Sequence, residues 1–178
     1  MKLILINGPT GVGKSTIAQK IHQGLPLSFL LDIDAQRRYI SGYREHRGDS
    51  LDLVIKLSLA IVENYLHSKH DVVIDKVLTS VEVAERFLEL GRKYNATVFE
   101  FVLNVDKETL MARAEERGYR EGGMLTPEKV PEFWERIQNY IKERPQAIIV
   151  DTKNLNIEET FEYIQGKILQ PETNNHER

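Results

Sequence analysis

The sequence predicts an α/β fold in which a five-stranded parallel sheet carries helices on both faces. Short, continuous apolar runs alternate along the chain with longer amphipathic segments, and this alternation is typical of buried parallel strands joined by crossover helices. The chain also lacks internal repeats and low-complexity linkers. The predicted strands are Lys2–Ile6, Ser28–Ile33, Val72–Ile74, Ala96–Leu103 and Ala147–Val150.

The segments between the first strands carry helix signals. Lys14–Gln23 has apolar residues at helical spacing and stops at a glycine. Leu51–Ser68 is predicted as a long helix because its apolar positions recur every three or four residues. Thr79 and Glu82 form a candidate capping box, in which hydroxyl and carboxylate satisfy free amides at the start of a helix that runs to about Tyr94.

Three further helices are predicted in the second half of the chain. Asp106 precedes a helix that runs through Arg117. Pro127 is expected at the first position of the next helix, where its missing amide hydrogen costs nothing. Asn156 and Glu159 form a capping box at the start of the last helix.

The length of 178 residues suits one domain with a small mobile part. We predict a single domain over residues 1–170, in which a helical lid occupies about residues 113–130. Within it, the stretch Gly118–Leu125 contains paired glycines and is expected to be a loop. The polar residues 171–178 are expected to be a disordered tail.

Composition excludes several classes of protein. The absence of cysteine excludes disulfides, thiol catalysis and thiolate zinc sites. No apolar run approaches the roughly 18 residues that a membrane-spanning helix needs, and the first apolar stretch is too short for a signal peptide. A net charge of −3 argues against a large nucleic-acid-binding surface. We therefore expect a cytoplasmic protein without a membrane partner.

The predicted topology also says where function should lie. Ligands of parallel α/β sheets bind outside the carboxyl ends of the strands. Functional residues are therefore expected directly after the strand-final residues Ile6, Ile33, Ile74, Leu103 and Val150.

The segment after the first strand matches the phosphate-binding motif G-x-x-x-x-G-K-S. Its glycines let backbone amides fold around an anion, and the following helix directs its positive end to the same place. Lys14 would neutralise the β- and γ-phosphates, and the Ser15 hydroxyl would bind Mg²⁺. The sequence thus predicts a site for ATP and Mg²⁺. The nucleotide-binding residues predicted here are Gly8, Thr10, Gly11, Val12, Gly13, Lys14, Ser15 and Thr16.

Asp34 follows the second strand and is the candidate general base. A carboxylate beside the transferred phosphoryl group can accept a proton from a substrate hydroxyl, and Arg37 can hold an anionic group of the substrate. If a helix begins here, Asp34 and Arg37 share a face. Arg38 stands beside Arg37, so either arginine could face the acceptor. Asp34 could instead be only an N-cap, and Asp32, inside the strand, is the weaker candidate for the base.

Asp75 follows the third strand and is a candidate ligand of Mg²⁺, directly or through water. Because Lys76 comes next, the alternative is that Asp75 only caps a turn.

The helix after the fourth strand carries Arg113 and Arg117, and Arg120 follows in the glycine-containing loop. A spacing of four places the first two on one helix face. They are predicted to bind ATP from a lid that closes over the nucleotide and supplies guanidinium charge to the transition state. A solvated charge stripe with Glu115 and Glu116 is the alternative.

With these residues, the chain resembles the P-loop kinase group. It is most similar to the small AAA-type kinase family that includes bacterial polynucleotide 5′-kinases, near chloramphenicol phosphotransferase and gluconate kinase. The resemblance covers about residues 1–165. It rests on Gly8–Ser15, on Asp34-x-x-Arg37 with Gly42 beyond, on Arg113-x-x-x-Arg117-Gly118, and on Val150–Leu155, which resembles the family's loop beside the adenine.

This resemblance implies ATP-dependent phosphorylation of a hydroxyl. It implies Asp34 as general base, Arg37 as the contact to a phosphate or carboxylate of the acceptor, and Arg117 as the lid arginine on the ATP phosphates. Lys14, Asp34 and Arg117 are thus the predicted catalytic residues. The adjacent Arg38 departs from the pattern and leaves open which arginine faces the acceptor.

The predicted function is therefore an ATP-dependent kinase that acts on a hydroxyl of a small-molecule or nucleotide-like acceptor. A polynucleotide 5′-hydroxyl kinase is a less favoured alternative, since only Arg37–Arg47 offers basic residues interleaved with tyrosines. A guanine-specific switch needs an aspartate where Leu155 stands. A non-catalytic ATP-binding module would be marked by loss of the base, whereas Asp34 is present. The acceptor pocket is expected within about Ala35–Ser58.

Overall fold

A computed structural model describes residues 1–119 and 126–169. Within them lies one five-stranded sheet, and every pairing in it is parallel. Its order is β2-β3-β1-β4-β5, which puts the first strand in the centre. The predicted α/β fold is confirmed. The strands are β1 (Lys2–Asn7), β2 (Phe29–Asp32), β3 (Val72–Asp75), β4 (Thr97–Asn104) and β5 (Ile148–Asp151).

Seven helices connect and follow these strands in the described residues. The sequence predicts the short second helix only conditionally, as the arrangement in which Asp34 and Arg37 would share a face. Because this helix begins at Ile33, the second strand ends at Asp32, one residue before its predicted end. The helices are α1 (Lys14–Gln23), α2 (Ile33–Arg37), α3 (Arg47–His67), α4 (Val81–Lys93), α5 (Lys107–Arg117), α6 (Lys129–Glu143) and α7 (Ile157–Leu169).

The sheet is covered on both faces, as predicted. Alternation along β1 sends Leu3 and Leu5 into one core and Ile4 and Ile6 into the other. Buried residues of α3, α4 and α6 complete the first core, and those of α1, α5 and α7 complete the second. All four β1 residues are fully buried, so the strand that carries the phosphate motif is held from both sides.

Three predicted helix starts are wrong. The long helix predicted from Leu51 begins four residues earlier, at Arg47, since its first turn carries no large apolar residue and lies outside the apolar pattern. Ser80, not Thr79, is the N-cap of α4, because the extended Ser80 backbone lets its hydroxyl accept from the Val83 amide at 3.3 Å. The sixth helix begins at Lys129 rather than at Pro127, since residues 126–128 form a turn.

The capping box predicted for the last helix is confirmed. Glu159 N donates to Asn156 Oδ1 at 3.0 Å, and Asn156 N donates to Glu159 Oε2 at 2.8 Å. The reciprocal pair satisfies two amides that a helix start leaves without intrahelical partners.

Among residues 1–119 and 126–169, no helix is long and apolar enough to cross a bilayer.

A buried ionic cluster lies where α6 packs on β4. Glu100 accepts from Tyr140 Oη at 2.5 Å and from Arg144 Nη2 at 2.6 Å, while Arg144 Nη1 reaches Glu85 at 2.5 Å. Burial and the Glu100 carboxylate raise the pKa of Tyr140, which keeps its hydroxyl a donor. Glu100 and Arg144 are only 7% and 5% exposed, so each depends on the other for compensation of its charge.

We expect Glu100→Ala to lower the free energy of unfolding by about 3 to 5 kcal/mol, since it leaves Arg144 with reduced compensation and a cavity beside it. Glu63 is a matched control, because it also accepts from a cation and a tyrosine, Lys93 and Tyr94, but at the surface. Glu63→Ala should cost much less, because water compensates the charges of a surface pair. Urea titration measures the free energy of unfolding of both variants. Equal losses would contradict a larger contribution of the buried cluster to stability.

Candidate active site

The phosphate motif forms the loop between β1 and α1, and its glycines are required by geometry. Gly8, Gly11 and Gly13 have φ of 140°, 96° and 104°, values that side-chain-bearing residues rarely adopt. A Cβ on Gly8 would also lie 2.4 Å from the Leu103 carbonyl oxygen. The loop therefore packs its backbone directly against the end of β4.

Asn7 holds this loop in place and was not singled out from the sequence. Its fully buried side chain accepts from Gly8 N at 2.7 Å and from Leu78 N at 2.9 Å, and it donates to Leu78 O at 2.9 Å. The amide thus ties the phosphate loop to the segment that follows β3. The only hint in the sequence is a polar residue at the end of an otherwise apolar strand.

Lys14 lies inside the loop that it is predicted to serve. Its ammonium donates to the Pro9 carbonyl at 2.9 Å, and the residue is 7% exposed. Burial lowers the pKa of Lys14 to about 8, partly offset by Asp75 and Asp34. A bound phosphate group would add negative charge beside this amine and favour its protonated form.

Thr10 provides an independent observation that fits a phosphate. Its buried hydroxyl oxygen has no hydrogen-bond partner in the described part of the chain, and buried polar groups are seldom left unpaired. Together with the glycine-lined cradle, this orphan hydroxyl makes the loop a fitting site for the phosphates of ATP.

Asp75 ends β3 beside the loop, where the Ser15 hydroxyl hydrogen-bonds to its carboxylate. Burial raises the pKa of Asp75, and the nearby Asp32 and Asp34 act in the same direction. A divalent cation would relieve this desolvated negative charge. Residues 1–119 and 126–169 contain no group of three or more histidine, aspartate or glutamate side chains arranged around a metal. Mg²⁺ needs fewer, since it keeps waters and phosphate oxygens as ligands.

Asp34 lies in the first turn of α2, and the structure corrects the view that it is an N-cap. The cap is Asp32, whose Oδ1 accepts from Ala35 N at 2.8 Å. Asp34 instead forms an ion pair with the ammonium of Lys76. The Lys76 side chain is 9% exposed and that of Asp34 is 30% exposed, so the carboxylate keeps an open side.

From the sequence alone, Lys76 is only a reason to expect that Asp75 caps a turn rather than binding a metal. In the structure its side chain turns back along the carboxyl edge of the sheet and pairs with a residue 42 positions earlier. Since β2 and β3 are neighbours, their ends bring Asp34 and Lys76 together. Sequence spacing gave no sign of this contact.

The two adjacent arginines of α2 differ in surroundings. Arg37 donates to Arg47 O at 2.7 Å, to Tyr43 O at 3.3 Å and to Ser50 Oγ at 3.0 Å. Its guanidinium therefore holds the connection between α2 and α3. Arg38 lines the cavity of the phosphate loop.

Arg113 and Arg117 diverge, although both lie on α5. Arg117 lines the cavity of the phosphate loop. Arg113 turns to the segment after β5, where it donates to Thr152 O at 2.7 Å and to Thr152 Oγ1 at 3.1 Å. The segment that resembles an adenine-side loop is thus held by Arg113. Arg120 and residues 121–125 of the predicted lid lie outside the described residues, as does the predicted tail.

Two cavities meet at Asp34. The first, which we call the phosphate cavity, has a volume of about 220 Å³; the second, which we call the acceptor cavity, has about 480 Å³ and lies between α2, α3, α4 and α6. Asp34 and Val77 line both. The phosphate cavity is lined by Gly13, Lys14, Ser15, Asp32, Asp75 and Arg117, among others.

Comparison with known proteins gives a family match and solved structures of similar fold. The model of a family described as the AAA domain matches residues 3–143. No curated protein matches the chain. Among solved structures, the tunicamycin resistance protein of Deinococcus radiodurans is 18% identical, with 94% of this chain and 96% of that chain covered and a TM-score of 0.63.

Two further structures share the fold. A gluconokinase from Sinorhizobium meliloti 1021 is 16% identical, with 95% of this chain and 92% of that chain covered and a TM-score of 0.64. A deoxyadenosine kinase from M. mycoides is 18% identical, with 96% and 99% covered and a TM-score of 0.56. The predicted resemblance is confirmed: the chain belongs to the AAA domain family and has the fold of the small P-loop kinases.

Proposed function

We propose that the chain is an ATP-dependent phosphotransferase that moves the γ-phosphate of ATP to a hydroxyl of a small acceptor. The observation that carries this proposal is the position of Asp34 on the boundary between the phosphate cavity and the acceptor cavity. A switch or a motor needs no second cavity of about 480 Å³ beside its phosphates. A kinase needs one, with a carboxylate between donor and acceptor.

On the donor side, the loop amides and Lys14 hold the β- and γ-phosphates. Thr10 offers its unpaired hydroxyl to a phosphate oxygen. Ser15 and Asp75 would hold Mg²⁺, which when bound supplies positive charge to the phosphate oxygens. Arg117 reaches the same cavity from α5 and would stabilise negative charge that develops on the transferred group.

On the acceptor side, Asp34 receives the proton of the attacking hydroxyl. The acceptor oxygen forms a bond to the γ-phosphorus, the bond from that phosphorus to the β–γ bridging oxygen breaks, and ADP leaves. Lys76 compensates the charge of Asp34 while the acceptor is absent. We assign to Arg38, which lines the phosphate cavity beside Asp34, a contact to the reacting end of the acceptor. Arg37 lines the acceptor cavity and has a supporting role, since it holds the α2–α3 connection.

The base of the nucleotide is assigned to the segment after β5. Arg113 orders this segment through Thr152 and Lys153. Leu155 stands where a guanine-reading aspartate would be required, which favours adenine. We include in the proposal a single domain over residues 1–170 with a lid at about 113–130, and a cytoplasmic location.

A transfer assay tests the proposal. The protein is incubated with γ-labelled ATP, Mg²⁺ and a panel of nucleosides, sugars, sugar acids, antibiotics and a 5′-hydroxyl oligonucleotide. We expect label on at least one small acceptor and none on the oligonucleotide, because the chain is acidic overall and only Arg37–Arg47 offers basic residues interleaved with tyrosines. ATP binding without hydrolysis or transfer to any acceptor would favour the non-catalytic alternative.

A further inference from the structure

The acceptor cavity is lined by both apolar and cationic side chains. Leu51 and Ile55 of α3, Val83 of α4 and Phe133 of α6 line it together with Val77. A volume of about 480 Å³ suits a metabolite-sized ligand. An acceptor of this cavity therefore has an apolar or planar part to place against these side chains.

The charges of the cavity are unbalanced, although the whole chain is acidic. Five cationic side chains line it against two carboxylates. Three of the cations are engaged: Lys76 with Asp34, Arg37 with the α2–α3 connection, and Arg136 with Glu132 and the Phe133 ring. Two of the five cations remain.

Those two are Lys56 of α3 and Arg86 of α4. Neither makes an ion pair or a side-chain hydrogen bond within residues 1–119 and 126–169. Both also line a shallow depression between α3 and α4, which Asp34 does not line. Lys56 and Arg86 therefore lie together at the rim shared by the acceptor cavity and this depression. This rim is away from the Asp34 end of the acceptor cavity, where the phosphate is transferred.

The carboxylates near this rim leave the two cations available. Glu63, which lines the depression, accepts from Lys93 at 2.7 Å and from Tyr94 Oη at 3.1 Å. Asp52 lies four residues before Lys56 on α3 but forms no ion pair with it. Glu89 lines the depression but not the acceptor cavity.

We propose that the acceptor is a hydroxylated small molecule with a carboxylate or phosphate group, and that Lys56 and Arg86 bind this group. The proposal rests on the proposed phosphotransferase function. It places the acceptor hydroxyl at Asp34, its apolar part against Leu51 and Phe133, and its anionic group at the rim. Arg37, whose Nε and Nη2 hold the α2–α3 connection, then shapes the cavity, and the anion is bound at the rim.

Matched probes test the anion site without requiring turnover. With saturating ADP and Mg²⁺ in the nucleotide site, the thermal midpoint is measured with glycerol against D-glycerate, ribose against ribose 5-phosphate, and adenosine against adenosine 3′-phosphate. We expect the anionic member of at least one pair to raise the midpoint more than its neutral partner. The glycerate and phosphate arms distinguish a carboxylate from a phosphate acceptor.

The decisive variant is the double substitution K56Q/R86Q. We expect it to remove the difference between anionic and neutral probes, which corresponds to an affinity loss of about tenfold or more for a charged hydrogen-bonded contact. The control K20Q/K142Q removes two positive charges on α1 and α6 that line neither the acceptor cavity nor the depression, and it should keep the difference. ATP hydrolysis without an acceptor should be unchanged in the control variant.

Two results would overturn the proposal: equal midpoints for anionic and neutral probes in the wild type, or a difference that survives in K56Q/R86Q. Failure of the proposed phosphotransferase function looks different. In that case the anionic probes still bind through Lys56 and Arg86, and no labelled product forms.

Discussion

Replacing Lys14 by methionine should lower the rate of phosphoryl transfer by about 10²- to 10³-fold, because it removes a positive charge aimed at the phosphates from a buried site. The Lys14 ammonium lies inside the glycine loop, 2.9 Å from the Pro9 carbonyl oxygen. Methionine fills a similar volume without the charge. The fold should therefore persist while binding of the γ-phosphate is lost.

The same substitution should stabilise the ligand-free protein. The pKa of Lys14 is lowered from 10.5 to about 8 in the folded chain. Between these values the unfolded chain binds more protons than the folded chain, so the free energy of unfolding of the wild type rises with pH. Below pH 8 the buried charge lowers stability in full. Lys14→Met should then raise the free energy of unfolding at pH 7 by as much as about 3 kcal/mol, and this gain should shrink toward pH 10.

Nucleotide binding should show the opposite dependence on pH. Above about pH 8 the ligand-free protein loses the proton from Lys14, and a phosphate must restore it. The Kd for ATP of the wild type should therefore rise by up to about tenfold per pH unit, whereas that of Lys14→Met should stay level.

Calorimetry from about pH 6.5 to about pH 10 measures the Kd for ATP, and urea titration over the same range measures the free energy of unfolding. Lys20→Met is the control, because Lys20 lies on the same helix and pairs at the surface with Glu158. It should change neither transfer nor the pH profile. Wild-type transfer by Lys14→Met would contradict the assignment of the phosphate loop.

Local rules predicted the elements and the phosphate loop well, for a physical reason. Burial of an apolar strand and the backbone needs of a glycine turn depend on neighbours in the sequence. The residues of β1, the loop glycines and the Asn156–Glu159 box could thus be identified without the structure. Where neighbouring residues offered two similar hydroxyls, as at Thr79 and Ser80, the backbone conformation selected the second.

Side-chain partners across the sheet were not predictable in this way. Arg113 and Arg117 are four residues apart on one helix, yet Arg113 binds the segment after β5 and Arg117 lines the phosphate cavity. Helical spacing gives the direction of a side chain at its base, whereas tertiary partners decide where a long side chain ends. The contact of Lys76 with Asp34 likewise depends on the order of the strands.

Asp34→Asn should lower kcat by about 10²- to 10⁴-fold with little change in the KM for ATP, since it removes the group that accepts the hydroxyl proton and leaves the phosphate loop intact. Single-turnover and steady-state kinetics with the best acceptor measure this. Asp71→Asn is the control, because Asp71 accepts from Lys2 N at 2.6 Å and lines neither cavity. Transfer by Asp71→Asn should stay within about threefold of the wild type.

The ion pair with Lys76 gives Asp34 a rival, purely structural role, and a double substitution separates the two. Asp34→Asn alone leaves Lys76 unpaired at 9% side-chain exposure, which should lower stability by about 1 to 3 kcal/mol, given that Asp34 is partly open to solvent. Adding Lys76→Met removes the unpaired ammonium, so D34N/K76M should regain that stability. If Asp34 is the base, the double variant stays as slow as Asp34→Asn, because no group has replaced the proton acceptor. If Asp34 serves only to neutralise Lys76, transfer returns together with stability, and the assignment of the base is wrong.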